Sequence, residues 1–203
     1  MGCKDGIMKP VTNRNLWRAS AVRILKIIRA IREERKRNRA YCQMTAEDLA
    51  RLSNEELSEA LSARILNEEG DRYVDECLRE FEGAKRIFYI VNYFDMEIQN
   101  GGLCQFFVNP SRLVAPYVLE CLTQINAVSY KELFEGFVIN NKISLDNLDS
   151  FIIDDVNQFE IQRSRYPFDK FDNSYYELYE NEPLQELLVK YTREHIGDFT
   201  TKK

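Results

Sequence analysis

The residues of this chain best suited to nucleophilic chemistry are five cysteines, Cys3, Cys42, Cys77, Cys104 and Cys121, and a single histidine, His195. A thiolate activated by an imidazole attacks carbonyls, so Cys104 or Cys121 with His195 is the pair to weigh. Neither cysteine stands in a recognisable nucleophile motif. Cys121 falls on an apolar helix face, where a thiol behaves as a small core residue. The cysteine count is odd and no two have CxxC spacing, and one histidine cannot supply a zinc set. The pattern fits free thiols in a reducing cytoplasm. Asp154 and Asp155 are a carboxylate pair that could serve a metal. Neighbours on a helix point about 100° apart, however, and no EF-hand spacing occurs. There is no P-loop, GxGxxG, GxSxG or HExxH. The expectation is a non-enzyme, with no catalytic residue, cofactor or metal.

Charge is the stronger signal. Residues 1–40 hold 12 Lys/Arg against 3 Asp/Glu, and residues 41–203 hold 16 against 30. A basic arm of +9 therefore precedes an acidic body of −14. The acids fall in rows. Glu55, Glu56 and Glu59 make one, and Glu68, Glu69, Asp71, Asp75 and Glu76 a second. Asp146, Asp149, Asp154 and Asp155 form a third, and Asp169, Asp172, Glu177, Glu180, Glu182 and Glu186 a fourth. Helical residues three or four apart have Cβ atoms roughly 5–6 Å apart. Duplex DNA carries one charge per roughly 1.7 Å of axis. Rows of carboxylates on adjacent helices can approximate that array. The plain alternative is an ordinary solvated acidic surface.

One stretch, "MEIQNGGLCQFFVN" from Met96 to Asn109, combines two glycines, amide side chains and two phenylalanines. Physically it reads as a rigid corner. Asn100, Gly101 and Gly102 end one helix, because glycine adopts left-handed backbone without a Cβ penalty. Phe106 or Phe107 supplies the core, while Gln105 and Asn109 can satisfy the turn's backbone groups. The functional alternative has Asn100, Gln105 and Asn109 facing a cleft. The pattern ExxNGGxxQFFxN, carried here by Glu97, Asn100, Gly101, Gly102, Gln105, Phe106, Phe107 and Asn109, resembles the signature of a helical family. That family includes a bacterial DNA-mimic protein acting on a transcription repressor. "APYVLECLTQINA" and "FDNSYYELYENEPLQELLVKYTREHIGDF" extend the resemblance over roughly residues 71–199. It departs from the pattern at Pro110 and Pro116, and it does not cover residues 1–40. The resemblance implies an all-α fold, a homodimer and no known enzymatic activity.

Helices must position these groups. Gly and Pro number only 8 and 5, which favours long helices, and an apolar fraction of 44% supports a packed interior. Trp17, Ala21, Ile24, Ile28 and Ile31 fall at steps of four and three, forming an apolar stripe among Arg18, Arg23, Lys26, Arg29 and Arg32. Thr45 with Asp48 and Ser53 with Glu56 read as capping boxes, and Gly70 closes the second of these helices. Beyond Asp71 the spacing is helical almost throughout, with a break at Gly83. Further helices are expected over 111–125, bent at Pro116, and after a Ser129–Glu132 capping box. Others are expected over 144–161, over 175–180 and from Pro183 to about Gly197. No strand alternation, signal peptide or membrane-spanning run is read. The expectation is an all-α, single compact multi-helix domain with an N-terminal basic amphipathic helix. It divides into an arm over 1–40, a connector over 41–70 and a DNA-mimic-like domain over 71–199.

The functional expectation is a cytoplasmic inhibitor whose acidic face engages a basic nucleic-acid-binding protein: a repressor, a nuclease or a CRISPR effector. The contact residues would come from Glu55, Glu56, Glu59, Glu68, Glu69, Asp71, Asp75, Asp146, Asp149, Asp154, Asp155, Asp172, Glu177 and Glu180. The acidic body itself would not bind DNA. The alternatives are an immunity or antitoxin protein, or a scaffold whose arm binds membrane, nucleic acid or its own body.

Overall fold

The computed structural model describes residues 13–155 and 157–200, with side chains from residue 26 onward. The "MGC" start, the side chains of Trp17, Arg18, Ala21, Arg23 and Ile24, and Val156 lie outside the described residues. The fold is all-α, and no strand occurs among the described residues. The chain divides into two compact units, 1–43 and 44–203. The described part of the first is a helix, α1 (Asn13–Gln43).

The second unit starts from local signals. The Thr45 hydroxyl accepts the Asp48 amide at 3.2 Å, and Asp48 Oδ2 accepts the Thr45 amide at 3.0 Å. This opens α2 (Ala46–Ala50). Ser53 and Glu56 repeat the exchange at 3.2 and 3.0 Å to open α3 (Asn54–Glu69). Each box satisfies two helix-end donors that would otherwise have no partner. Ser53→Ala should lower stability by about 1 kcal/mol, read as a lower urea midpoint.

α4 (Val74–Glu80) leads to the long α5 (Gly83–Val108). Gly83 opens α5 at φ 54°, and Asp198, from the far end of the chain, accepts the Ala84 amide at 3.0 Å. A 3-10 turn (Pro110–Val114) leads into α6 (Ala115–Gln124), and α7 (Val128–Asn140) follows. α8 (Asn157–Arg165), α9 (Phe168–Asn181) and α10 (Leu184–Glu194) follow in turn, before a 3-10 turn at Ile196–Phe199. α5 is the axis of the unit: α6, α9, α10 and the final turn all pack on it, and α3 packs on α10. α2 and α3 thus belong to the folded body rather than to a connector.

Several sequence expectations are corrected. No single helix spans 144–161. Asn147 Oδ1 accepts the Asp149 amide, and Asp155 Oδ1 accepts the Asn157 amide, so short polar side chains replace the helical bonds there. Among the described residues of that stretch, only a 3-10 turn, Asp149–Phe151, and the start of α8 are helical. Ser129 does not cap α7, which starts one residue earlier at Val128 with Ala127 at its cap. Pro116 stands within the first two positions of α6, so it starts that helix instead of bending it. The 175–180 segment belongs to the longer α9, and Gly197 lies in the turn after α10.

The core is aromatic. Phe94, Phe106, Phe107, Phe134, Phe151, Phe168 and Tyr175 are all at most 1% exposed. Phe94 meets Phe106 edge-on at 5.2 Å, and Phe107 stacks on Phe151 at 4.8 Å. Each such burial stabilises by roughly 1.5–3 kcal/mol before entropy is counted.

Candidate acidic interface and its supporting corner

α5 is interrupted inside the motif. Gly101 and Gly102 have non-helical backbone, with Gly102 at φ 83° and ψ 175°. That region is open to glycine and strained for any other residue. A Cβ at Gly102 would also stand on the Asp172 carboxylate of α9. The break frees the Leu103 amide, and Asp172 Oδ1 accepts it at 2.8 Å. α9 therefore caps the second half of α5 from across the fold.

Glu97 is the centre of the corner. It is 8% exposed. Its Oε2 accepts Gln105 Nε2 and Asn109 Nδ2, both at 2.9 Å, and its Oε1 accepts Ser111 Oγ at 2.8 Å. Both amides reach this carboxylate through their nitrogens, so each is set with its nitrogen inward. Gln105 and Asn109 therefore point into the protein and brace the turn. Phe106 and Phe107 are fully buried beside them. Asn100, by contrast, is exposed.

The structure sorts the acidic rows. Glu69 is 8% exposed and accepts the Tyr89 and Tyr93 hydroxyls at 3.1 and 2.7 Å, so it belongs to the interior and not to an outer face. Asp172 is half-buried as the Leu103 cap, another correction to the acidic-face assignment. Burial raises its pKa, and the bond from Leu103 opposes the rise. Glu68 is tied to Lys85 at 2.7 Å, and Asp75 to Arg79 at 2.9 Å. Glu55, Glu56, Glu59, Asp71, Asp146, Asp149, Asp154, Asp155, Glu177 and Glu180 are exposed. Two groups come together. Glu55 and Glu59 of α3 line a groove of about 590 Å³ with Ser58, Gln185 and Glu186, between α3 and α10. Asp146 and Asp149 line a hollow of about 300 Å³ with Arg112.

Sequence reading missed Asp95. It is 3% exposed, and its carboxylate accepts Tyr175 Oη at 2.7 Å and Gln185 Nε2 at 2.8 Å. Gln185 also accepts Ser58 Oγ at 3.3 Å. The network ties α5, α9, α10 and α3 behind the acidic groove. The two shorter bonds come from donors 80 and 90 residues away, which no local spacing announces, while Gln99, one turn along α5, adds a longer contact at 3.5 Å. Burial raises the Asp95 pKa, and the hydrogen bonds only partly oppose this. A carboxyl raised in the folded state binds protons there more readily than in the unfolded chain. It therefore withdraws stability as pH rises from the unfolded value, about 3.9, through its folded value. Asp95→Asn removes that penalty. The variant's melting temperature, relative to wild type, should climb as pH rises through this range.

The two thiols weighed as nucleophiles are shielded. Cys104 and Cys121 are 2% and 4% exposed, and burial pushes both up to about 12. His195 is exposed and stacks on the Tyr191 ring at 4.3 Å. Among the described residues no group of three His, Cys, Asp or Glu is placed to hold a metal ion. No described helix is long and apolar enough to cross a membrane.

No curated protein and no solved structure matches the chain. The family model for DMP19-like protein matches residues 79–195, more than half of the 203 residues, and takes in the whole Glu97–Asn109 corner. By that match the chain belongs to the DMP19-like protein family.

Proposed function

We propose that this chain is a non-enzymatic acidic binding protein that mimics DNA and inhibits a basic nucleic-acid-binding partner. The observation that carries the reading is charge: residues 44–203 form one compact unit with a net −14. Membership of a DNA-mimic family supports it. Glu55 and Glu59, joined by Glu186, form the best-defined contact surface, because two helices hold them around one groove. A partner's Lys or Arg side chains would enter that groove as they would approach a phosphate backbone. Asp146, Asp149, Asp154, Asp155, Glu177 and Glu180 extend the exposed acidic surface. Competition is the mechanism: carboxylates occupy a groove shaped for nucleic acid. Association is fast and weakens with salt. Cys104 and Cys121 are buried and burial raises the pKa of both, so neither of these two is an activated nucleophile, which supports the non-enzymatic part of the reading.

The test is affinity capture from the native host with the tagged full chain, washed at rising salt and then with duplex DNA. Recovery of one nucleic-acid-binding protein, released by salt and by DNA, is the expected result. Its retention should fall on the order of tenfold for a Glu55→Gln, Glu59→Gln, Glu186→Gln variant. A partner indifferent to salt and DNA would point to an immunity-type interface and defeat the mimic reading.

A further inference from the structure

The acidic reading makes no use of α1. Residues 26–43 carry seven Lys/Arg against two Asp/Glu. Ile27, Ile28 and Ile31 of this helix are 59%, 39% and 42% exposed. Residues three and four apart share a helix face, so the three isoleucines make one apolar patch. Arg32 and Arg35 flank it, Lys26 and Arg29 lie on the opposite side of the helix, and all four are exposed. Arg29 pairs with Glu33 at 2.9 Å, which leaves the segment strongly positive. The family match begins at residue 79, so α1 lies outside it.

We propose that α1 is an interfacial helix that lies on an anionic lipid bilayer, with the isoleucines at the acyl boundary and the basic side chains at the phosphates. The occupant must satisfy two demands together. Apolar surface gains by leaving water, and the cations around it gain from anions. Nucleic acid supplies phosphates but offers little to three isoleucines. A second α1 would cover the isoleucines and set arginine against arginine. An anionic bilayer meets both demands. Each Lys or Arg near such a surface strengthens binding roughly fivefold, a contribution that salt screens. The isoleucines add apolar burial that salt leaves in place.

The full-length chain is sedimented with phosphatidylcholine vesicles, with and without phosphatidylglycerol. The chain should pellet only with the vesicles containing phosphatidylglycerol. Ile27→Ala, Ile28→Ala, Ile31→Ala combined should weaken that binding about tenfold or more. Alanine favours the helix, so loss of α1 itself does not confuse the result, and circular dichroism checks it. Arg32→Gln with Arg35→Gln should weaken binding roughly 25-fold. The proposal is overturned by failure to pellet at low salt, or by equal binding of the triple alanine variant. Tighter binding to a duplex DNA oligonucleotide that the alanine variant retains would also overturn it, in favour of nucleic acid.

Discussion

Glu97→Ala should lower folding stability by about 2–4 kcal/mol, the largest loss expected from a single polar change in this chain. Three donors converge on that carboxylate, from Gln105, Asn109 and Ser111. Alanine removes the acceptor and leaves all three side chains to find partners. Ser111 is 2% exposed and has no access to water, so it bears the full desolvation cost. Gln105 and Asn109 are half-buried and recover part of theirs from solvent. Glu97→Gln keeps the shape and one accepting oxygen, and its loss should be about half as large. Urea unfolding of the two variants reads the difference directly. An alanine variant as stable as wild type would mean that the corner is held by its phenylalanines alone.

Gly102→Ala should cost a similar amount, about 2–4 kcal/mol, for a different reason. At φ 83° and ψ 175° an L residue is strained by roughly 1–3 kcal/mol. The new methyl group must also displace Asp172, which removes the cap from the Leu103 amide. The second part can be separated by a double-mutant cycle with Asp172→Ala. If the contact matters, the double variant loses less than the sum of the single losses. Strict additivity would place the whole cost in the backbone.

Local grammar is readable from residue types and spacing alone. The Thr45 and Ser53 boxes need only a hydroxyl and an acid three residues on, and both form. The glycine break after Asn100 is equally legible, because few other residues tolerate that backbone. Competition between equals is harder to read. Asn147 and Asp155 sit in an apolar pattern that suits a helix, yet their side chains bind nearby amides more favourably. The acidic rows are legible as charge and illegible as surface. Glu69 and Glu55 look alike in sequence, and only the hydroxyls of Tyr89 and Tyr93, 20 and 24 residues on, draw Glu69 inside. The groove depends on α10 lying against α3, a pairing fixed by packing over more than a hundred residues.

The closing turn bears on how this protein is made. Phe199 is 1% exposed and meets Phe88 edge-on at 5.7 Å, while Arg64 donates to the Phe199 carbonyl at 3.0 Å. Asp198 caps the first turn of α5. During synthesis α5 therefore leaves the ribosome more than a hundred residues before its cap exists. Until residues 198 and 199 emerge, Phe88 lacks its ring partner and the buried Arg64 lacks that carbonyl. The nascent body should accordingly remain a chaperone client and a protease substrate up to its last helical turn, then lock in one late step.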